Sequence, residues 1–336
     1  MNWITNTRIV AIFSVVWLHI AAYAVLNAEL GSPDWWSGNL YDAATRWCVP
    51  VFVMVSGALL LEPRPEESMS RFYRKRAARI LAPLLFWTAF YLLWTAFKQH
   101  WWTPQAEPYP YLQRLLEGRP YFHLWFLYMI VFLYLFTPFL RRLVQACRLR
   151  HLAALTAAAF ALSALSTLSS ADLKTNSTPF FTWFLSYLPY FLLGYLVRKA
   201  PLAVPRWLSL AVLLASIGAT AWGCYALATL HDLQTGAYFY DYLSITVIPM
   251  SLALILLLRD WEQPLISPAV SRHLAELTLG VYLIHPWLID LMYRYLFTAL
   301  DFNAIWSIPV LAAGIYAASL ALAALFRATP GLRAAV

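Results

Sequence analysis

The sequence predicts an all-α fold: a polytopic membrane bundle of about ten transmembrane helices with both termini in the cytoplasm. Three observations lead there. Hydrophobic residues make up 62% of the 336-residue chain and charged residues only 12%, against about 25% charged in soluble domains. A water-soluble core cannot hide that much apolar surface, because surface-to-volume scaling limits what folding buries. Apolar runs of roughly 20 residues, the length that crosses a bilayer, recur near 8–27, 42–61, 80–97, 121–140, 152–170, 180–197, 207–230, 242–258, 274–297 and 304–326. The charges also sort by side. With the N-terminus inside, the outer loops and outer helix ends keep Arg46, Lys98, Arg114, Arg119, Lys174 and Arg294, six of the 24 Lys and Arg, and the other 18 (Arg64 among them) fall on cytoplasmic segments. This positive-inside pattern accounts for the net charge of +8 without a nucleic-acid partner. The longest polar stretches, Glu62 to Arg79 and Lys98 to Arg119, are too short for an independent domain. Residues 1–336 therefore read as a single integral membrane domain with no appended soluble one.

The first helix opens with a potential misreading. Its apolar run ends before Ala22-Tyr23-Ala24, which imitates a signal-peptidase site. A single n-region charge, Arg8, and a histidine closing the apolar run argue instead for a retained helix. Arg8 and His19 stand 11 positions apart. At 100° per residue that is three turns plus roughly 20°, so both side chains leave one face, about 16.5 Å apart along the axis. Arg8 falls at the cytoplasmic interface and His19 near mid-bilayer. A titratable group at that depth either marks a functional site or bonds a neighbouring helix, and spacing leaves both readings open.

Arg46 enters from the outer end of the second helix, with Asp42 four residues earlier, either to pair with it or to face a substrate. Before the third helix, Arg71 to Arg79 is the densest basic run. Most of it serves as topology determinant and attraction to anionic lipid. Arg76 and Arg79 share a helical face, and a paired guanidinium face suits bidentate phosphate contact. Pro83 is expected in that helix's first turns, where proline is tolerated. His123 and Trp125 open the fourth helix at the outer level, Trp125 as an interfacial anchor and His123 with Arg119 as a candidate substrate entrance. In the preceding loop, Trp101, Trp102, Tyr109 and Tyr111 suit ring stacking or interfacial anchoring equally.

His285 stands 13 residues after Arg272, again near the midplane. Pro286 behind it kinks the helix and frees a backbone carbonyl. Tyr282 and His285 therefore line a cavity or bond across the bundle. Asp290 and Arg294, spaced i,i+4, are expected to pair near the outer face. Cys48, Cys147 and Cys224 are spaced for neither zinc nor a disulfide framework and read as packing residues, so no metal is expected.

Five of these segments together resemble the acyltransferase-3 family of membrane O-acyltransferases. They are Arg8 with His19 in the first helix; Pro50-Val51-Phe52-Val53-Met54-Val55-Ser56-Gly57, where Val53 stands in place of a second Phe; Arg76-Ala-Ala-Arg79 followed by Pro83; His123-Leu-Trp125-Phe-Leu; and Gly280-Val-Tyr282-Leu-Ile-His285. The resemblance covers nearly the whole chain. It implies a bacterial inner-membrane enzyme that takes an acyl group, usually acetyl, from cytoplasmic acyl-CoA to a sugar hydroxyl of a cell-surface or lipid-linked glycan. Acyl-CoA is then a substrate, with no permanently bound cofactor, and glycan-assembly proteins and membrane lipid are the expected neighbours. His19 becomes general base or transient acyl carrier, a role suited to a group that titrates near neutrality. Arg8 orients the donor, and Arg76 and Arg79 hold the CoA phosphates. Arg46, Ser56, His123, Trp125, Tyr282 and His285 are the substrate-side or cavity candidates.

The rival reading is a secondary transporter or flippase of a glycan-related or small anionic substrate, since midplane histidines and a broken helix also describe transporters. The absence of an internal repeat counts against it. A third reading is a non-catalytic partner that passes acyl groups to a separate transferase.

Overall fold

The computed structural model describes residues 2–63, 67–173, 179–200 and 203–336; the topology expectations for Arg64 and Lys174 lie outside the described residues. In chain order the helices are α1 (Asn2–Asn27), α2 (Pro33–Thr45), α3 (Cys48–Leu60), α4 (Met69–Trp101), α5 (Tyr111–Leu116), α6 (Trp125–Ala146), α7 (Leu149–Leu173), α8 (Trp183–Lys199), α9 (Arg206–Leu230), α10 (Leu233–Gly236), α11 (Val247–Arg259), α12 (Pro268–Tyr295) and α13 (Ala304–Ala328). No strand occurs among the described residues. Counting α2 and α3 as one crossing, nine of these spans are long and apolar enough to traverse a membrane, and α11, at 13 residues, is a shorter tenth. The protein is a multi-pass helical membrane bundle.

Capping residues set several helix starts. Ser32, Ser68 and Ser267 each accept a backbone N–H from the first turn of α2, α4 and α12, and Pro33 and Pro268 occupy the opening positions that proline favours. Two of the boundaries that differ from the sequence reading bear on the site. The second crossing begins at Pro33 rather than near residue 42, and it breaks at Arg46–Trp47. Pro50, with no N–H, cannot bond the carbonyl four residues back, so the α2 ladder does not continue through Arg46. Arg46 and Cys48 therefore sit inside the crossing and not at its outer end. Likewise α4 starts at Met69, so the basic run is its first turns and Pro83 lies well inside the helix.

α1 is the central helix, packed on α2, α3, α12 and α13. Ala11, Val16, Ile20, Ala21 and Ala24 are all fully buried there. It runs alongside α12 in the same direction, with Arg8 meeting Thr278, His19 meeting His285 and Tyr23 meeting Tyr293. The tightest crossing is α3 on α8, where two glycines bring the backbones into contact. A Cβ on Gly57 would lie 1.8 Å from the Phe191 carbonyl oxygen, and one on Gly194 would lie 1.8 Å from that of Met54. Small residues allow this approach where no hydrophobic force drives helices together in lipid. α7, packed mainly on α8, presents Leu155, Leu162, Leu165 and Leu168 outward, as a lipid-facing helix should. The three cysteines are free thiols, Cys48 and Cys224 buried.

Candidate active site

Arg8 and His19 do share a face, and that face is turned to α12. Arg8 Nη2 donates to Thr278 Oγ1 at 2.9 Å, and the His19 ring stacks on His285 with centroids 5.2 Å apart. The two ends of this face reach different surroundings.

At the Arg8 end, Leu59, Leu60, Lys75, Arg76 and Arg79 line a cavity of about 400 Å³. Arg79, Tyr134 and Glu276 lie within electrostatic range of Arg8. Arg76 sits over the rings of Phe72 and Tyr134, 5.5 and 6.0 Å from their centroids, and the Tyr134 hydroxyl bonds Ser56 Oγ at 3.3 Å. Arg8, Ser56, Arg76 and Arg79 are thus drawn into one region from three separate helices, α1, α3 and α4. A residue that the sequence marked only as a topology charge joins them. Arg141 is buried, donates to the Leu60 carbonyl at 2.5 Å and to Glu67 at 2.9 Å, and lies over Phe72. Its Nη2 has no hydrogen-bond partner among the described residues. No local pattern could have revealed this, because its carboxylate partner is 74 residues away.

At the His19 end, three imidazoles converge. His123, from the turn before α6, lies 5.8 Å from His285 ring to ring. It contacts Tyr91 and Tyr282 at 4.9 and 5.1 Å. His123 is 2% exposed and His285 0%, whereas His19, though deep in the bundle, keeps part of its surface accessible. Tyr282 donates its hydroxyl to the His123 carbonyl, and Tyr91 donates to the Leu283 carbonyl at 2.7 Å, so both tyrosines pin the segments that hold the histidines. Among the described residues, no three His, Cys, Asp or Glu side chains are placed to hold a metal ion.

Arg46 and Trp125 form a third group beside this one. Arg46 takes both oxygens of Asp42, donates to the Tyr240 carbonyl at 3.2 Å, and lies over the Tyr240 ring at 4.3 Å. It is also within electrostatic range of His19. Trp125 stacks on Tyr242 at 5.8 Å and packs on Tyr187 and Trp183. It is therefore a wall of an internal aromatic cluster and not the interfacial anchor its position suggested. The expected His123–Arg119 entrance does not form: His123 faces inward, while Arg119 is exposed over Trp183. Nor do Asp290 and Arg294 pair. Asp290 accepts from Trp94 Nε1, Lys98 Nζ and Tyr121 Oη at 2.7, 2.8 and 2.5 Å. Three donors from outside α12 outcompete one flexible neighbour on it, and Arg294 lies over Trp102 instead. Tyr109 and Tyr111 spend their hydroxyls on Pro120 and Gln99, which orders the loop.

The fold and site define a multi-pass membrane protein with a basic cavity at one end of its central helix and clustered imidazoles farther along it. Over residues 1–327 the chain matches the model of the acyltransferase-3 family, described as an acyltransferase domain, and it belongs to that family. Comparison with curated proteins and with solved structures returned no match. Membership favours acyl transfer over the transporter reading.

Proposed function

We propose that the protein is an O-acyltransferase of the bacterial inner membrane that moves an acyl group, acetyl in the simplest case, from cytoplasmic acyl-CoA to a hydroxyl of a cell-surface or lipid-linked glycan. The observation that carries this reading is the single α1 face that bears both Arg8, within electrostatic range of the cavity-lining Arg79, and His19, stacked on His285. Phosphates need cations, and Arg76 and Arg79 border the cavity. A thioester arm laid along α1 from that cavity would bring the acyl carbon toward His19, which handles the transfer as base for the hydroxyl or as transient acyl carrier. Arg8, between the two, orients the donor. The positive-inside bias supports placing the Arg8 end at the cytoplasm.

A glycan acceptor is supported by the ring-rich group around Trp125, Tyr187 and Tyr242, beside the Asp42–Arg46 pair. Flat rings flanked by fixed polar groups suit a sugar's apolar faces and hydroxyls. The sequence pattern also resembles that of the O-acetyltransferase of enterobacterial common antigen, which supports a surface-glycan precursor as acceptor. The test uses inverted membrane vesicles that carry the endogenous glycan, supplied with radiolabelled acetyl-CoA. Release of CoA with label appearing in the glycan is expected. Transport of a substrate into proteoliposomes with no CoA turnover would establish the transporter instead.

A further inference from the structure

The three imidazoles are not equivalent. His285 Nδ1 lies 3.0 Å from the Val281 carbonyl oxygen. A carbonyl oxygen only accepts, so Nδ1 carries the ring proton and Nε2 is the bare, basic nitrogen. That Nε2 has no hydrogen-bond partner among the described residues, although His285 is fully buried. Neither ring nitrogen of His123 has one either. A buried polar group without a partner costs free energy, and a ligand hydroxyl, donor and acceptor at once, satisfies such nitrogens. Phe122 connects this cluster to the surface: it is 53% exposed and packs edge-on against His19 at 5.0 Å.

His19 has the complementary character. It keeps accessible surface and shares an α1 face with Arg8, which lies within electrostatic range of the cavity-lining Arg79. It also stacks nearly parallel to His285, at 21° between planes. Two positive rings that close repel in a medium of low dielectric constant, so a proton arriving on His285 drives a cationic acyl adduct on His19 to expel the ring in its neutral form. The pair is therefore suited to a division of labour in which one ring carries the acyl group while the other takes the proton.

We propose that His285 is a second catalytic residue: its Nε2 takes the proton of the acceptor hydroxyl, and His19 carries the acyl group. This rests on the acyltransferase reading above. In the first step a His19 nitrogen attacks the thioester carbon, the C–S bond breaks, and CoA leaves as thiolate. In the second step the acceptor oxygen attacks the acyl carbon of the His19 adduct while its O–H proton passes to His285 Nε2. The acyl–nitrogen bond then breaks, returning neutral His19. The His285 imidazolium gives its proton to solvent, so acyl-CoA and an alcohol become an ester, a thiolate and a proton. His123, with two unpartnered nitrogens, holds a neighbouring hydroxyl of the same acceptor, which fits a polyhydroxylated substrate.

The test compares wild type, His19→Gln, His285→Gln and His285→Asn. Glutamine keeps an acceptor near the Nε2 position and asparagine keeps a donor near Nδ1, but neither is a base. A purely structural role would survive one of them. Radiolabelled acetyl-CoA is given to each full-length protein in membrane vesicles, and both glycan-bound and protein-bound label are counted after rapid quenching. The proposal expects both His285 variants to lose glycan acylation by about 100-fold or more, while label accumulates on the protein; His19→Gln should show neither product. Glycan acylation within threefold of wild type in either His285 variant overturns it, as does lost acylation with no protein-bound label. A wild-type protein that labels no glycan overturns the proposed function itself, and this inference with it.

Discussion

Replacing Asp42 with Ala isolates what the buried ion pair in the broken second crossing does. Asp42 is 1% exposed and both its oxygens are taken by Arg46. The substitution leaves a guanidinium in the bundle with the Tyr240 carbonyl at 3.2 Å and the Tyr240 and Tyr242 rings at 4.3 and 6.0 Å. Removing one partner of a buried pair costs about 3–5 kcal/mol. The retained carbonyl and ring contacts place this case near the lower figure, about 3 kcal/mol. Replacing the pair together, Asp42→Leu with Arg46→Met, leaves no uncompensated charge and is expected to fall within about 1 kcal/mol of wild type. Unfolding titration from mild detergent into SDS, followed by the fluorescence of the 16 Trp, measures both. Glycan acylation is expected to be lost in the double variant although it folds, because Arg46 also faces the His19 region. A cost under about 1 kcal/mol for Asp42→Ala would refute the premise that this charge is held out of solvent.

Other perturbations separate structural from chemical roles. Arg76→Ala with Arg79→Ala should weaken acetyl-CoA binding at least tenfold by equilibrium dialysis, since each charge-assisted bond is worth about 1.5–3 kcal/mol; unchanged affinity would leave them as topology charges. Gly57→Ala should prevent accumulation of folded protein, because its Cβ would lie 1.8 Å from the Phe191 carbonyl oxygen, and a monodisperse, normally stable variant would contradict the α3–α8 contact. Asp290→Ala should destabilise by about 1–3 kcal/mol by removing the shared acceptor of Trp94, Lys98 and Tyr121 and leaving Lys98 with Tyr121 Oη alone, whereas Arg294→Ala should stay within about 1 kcal/mol; equal losses in the same SDS titration would restore the i,i+4 pair.

What could be read from sequence follows from which interactions are local. The crossings are local, since each is a run of apolar residues and the bilayer sets its length. The shared face of Arg8 and His19 is local too, because helical periodicity alone fixes it, and so is the Arg76–Arg79 pair. The break at Arg46 was in principle legible through Pro50, but the apolar run continues across it and hydropathy does not register a lost backbone bond. Arg141 with Glu67, Asp290 with Lys98, and the meeting of His19, His123 and His285 join segments far apart in the chain. Those pairings depend on how the helices pack, and no spacing encodes it. Trp125 shows the reverse error: an aromatic residue at a helix end reads as an interfacial anchor, yet α8 supplies Tyr187 and the turn before α11 supplies Tyr242 to enclose it.

The central claim is that His19 is where acyl transfer occurs. A strain lacking the protein, complemented with wild type or His19→Ala at equal membrane abundance, tests it through mass spectrometry of its surface glycans. Wild type is expected to restore an acyl mass increment on the glycan, and His19→Ala, present and folded in the membrane, to restore none. Full restoration of the increment by His19→Ala would contradict it.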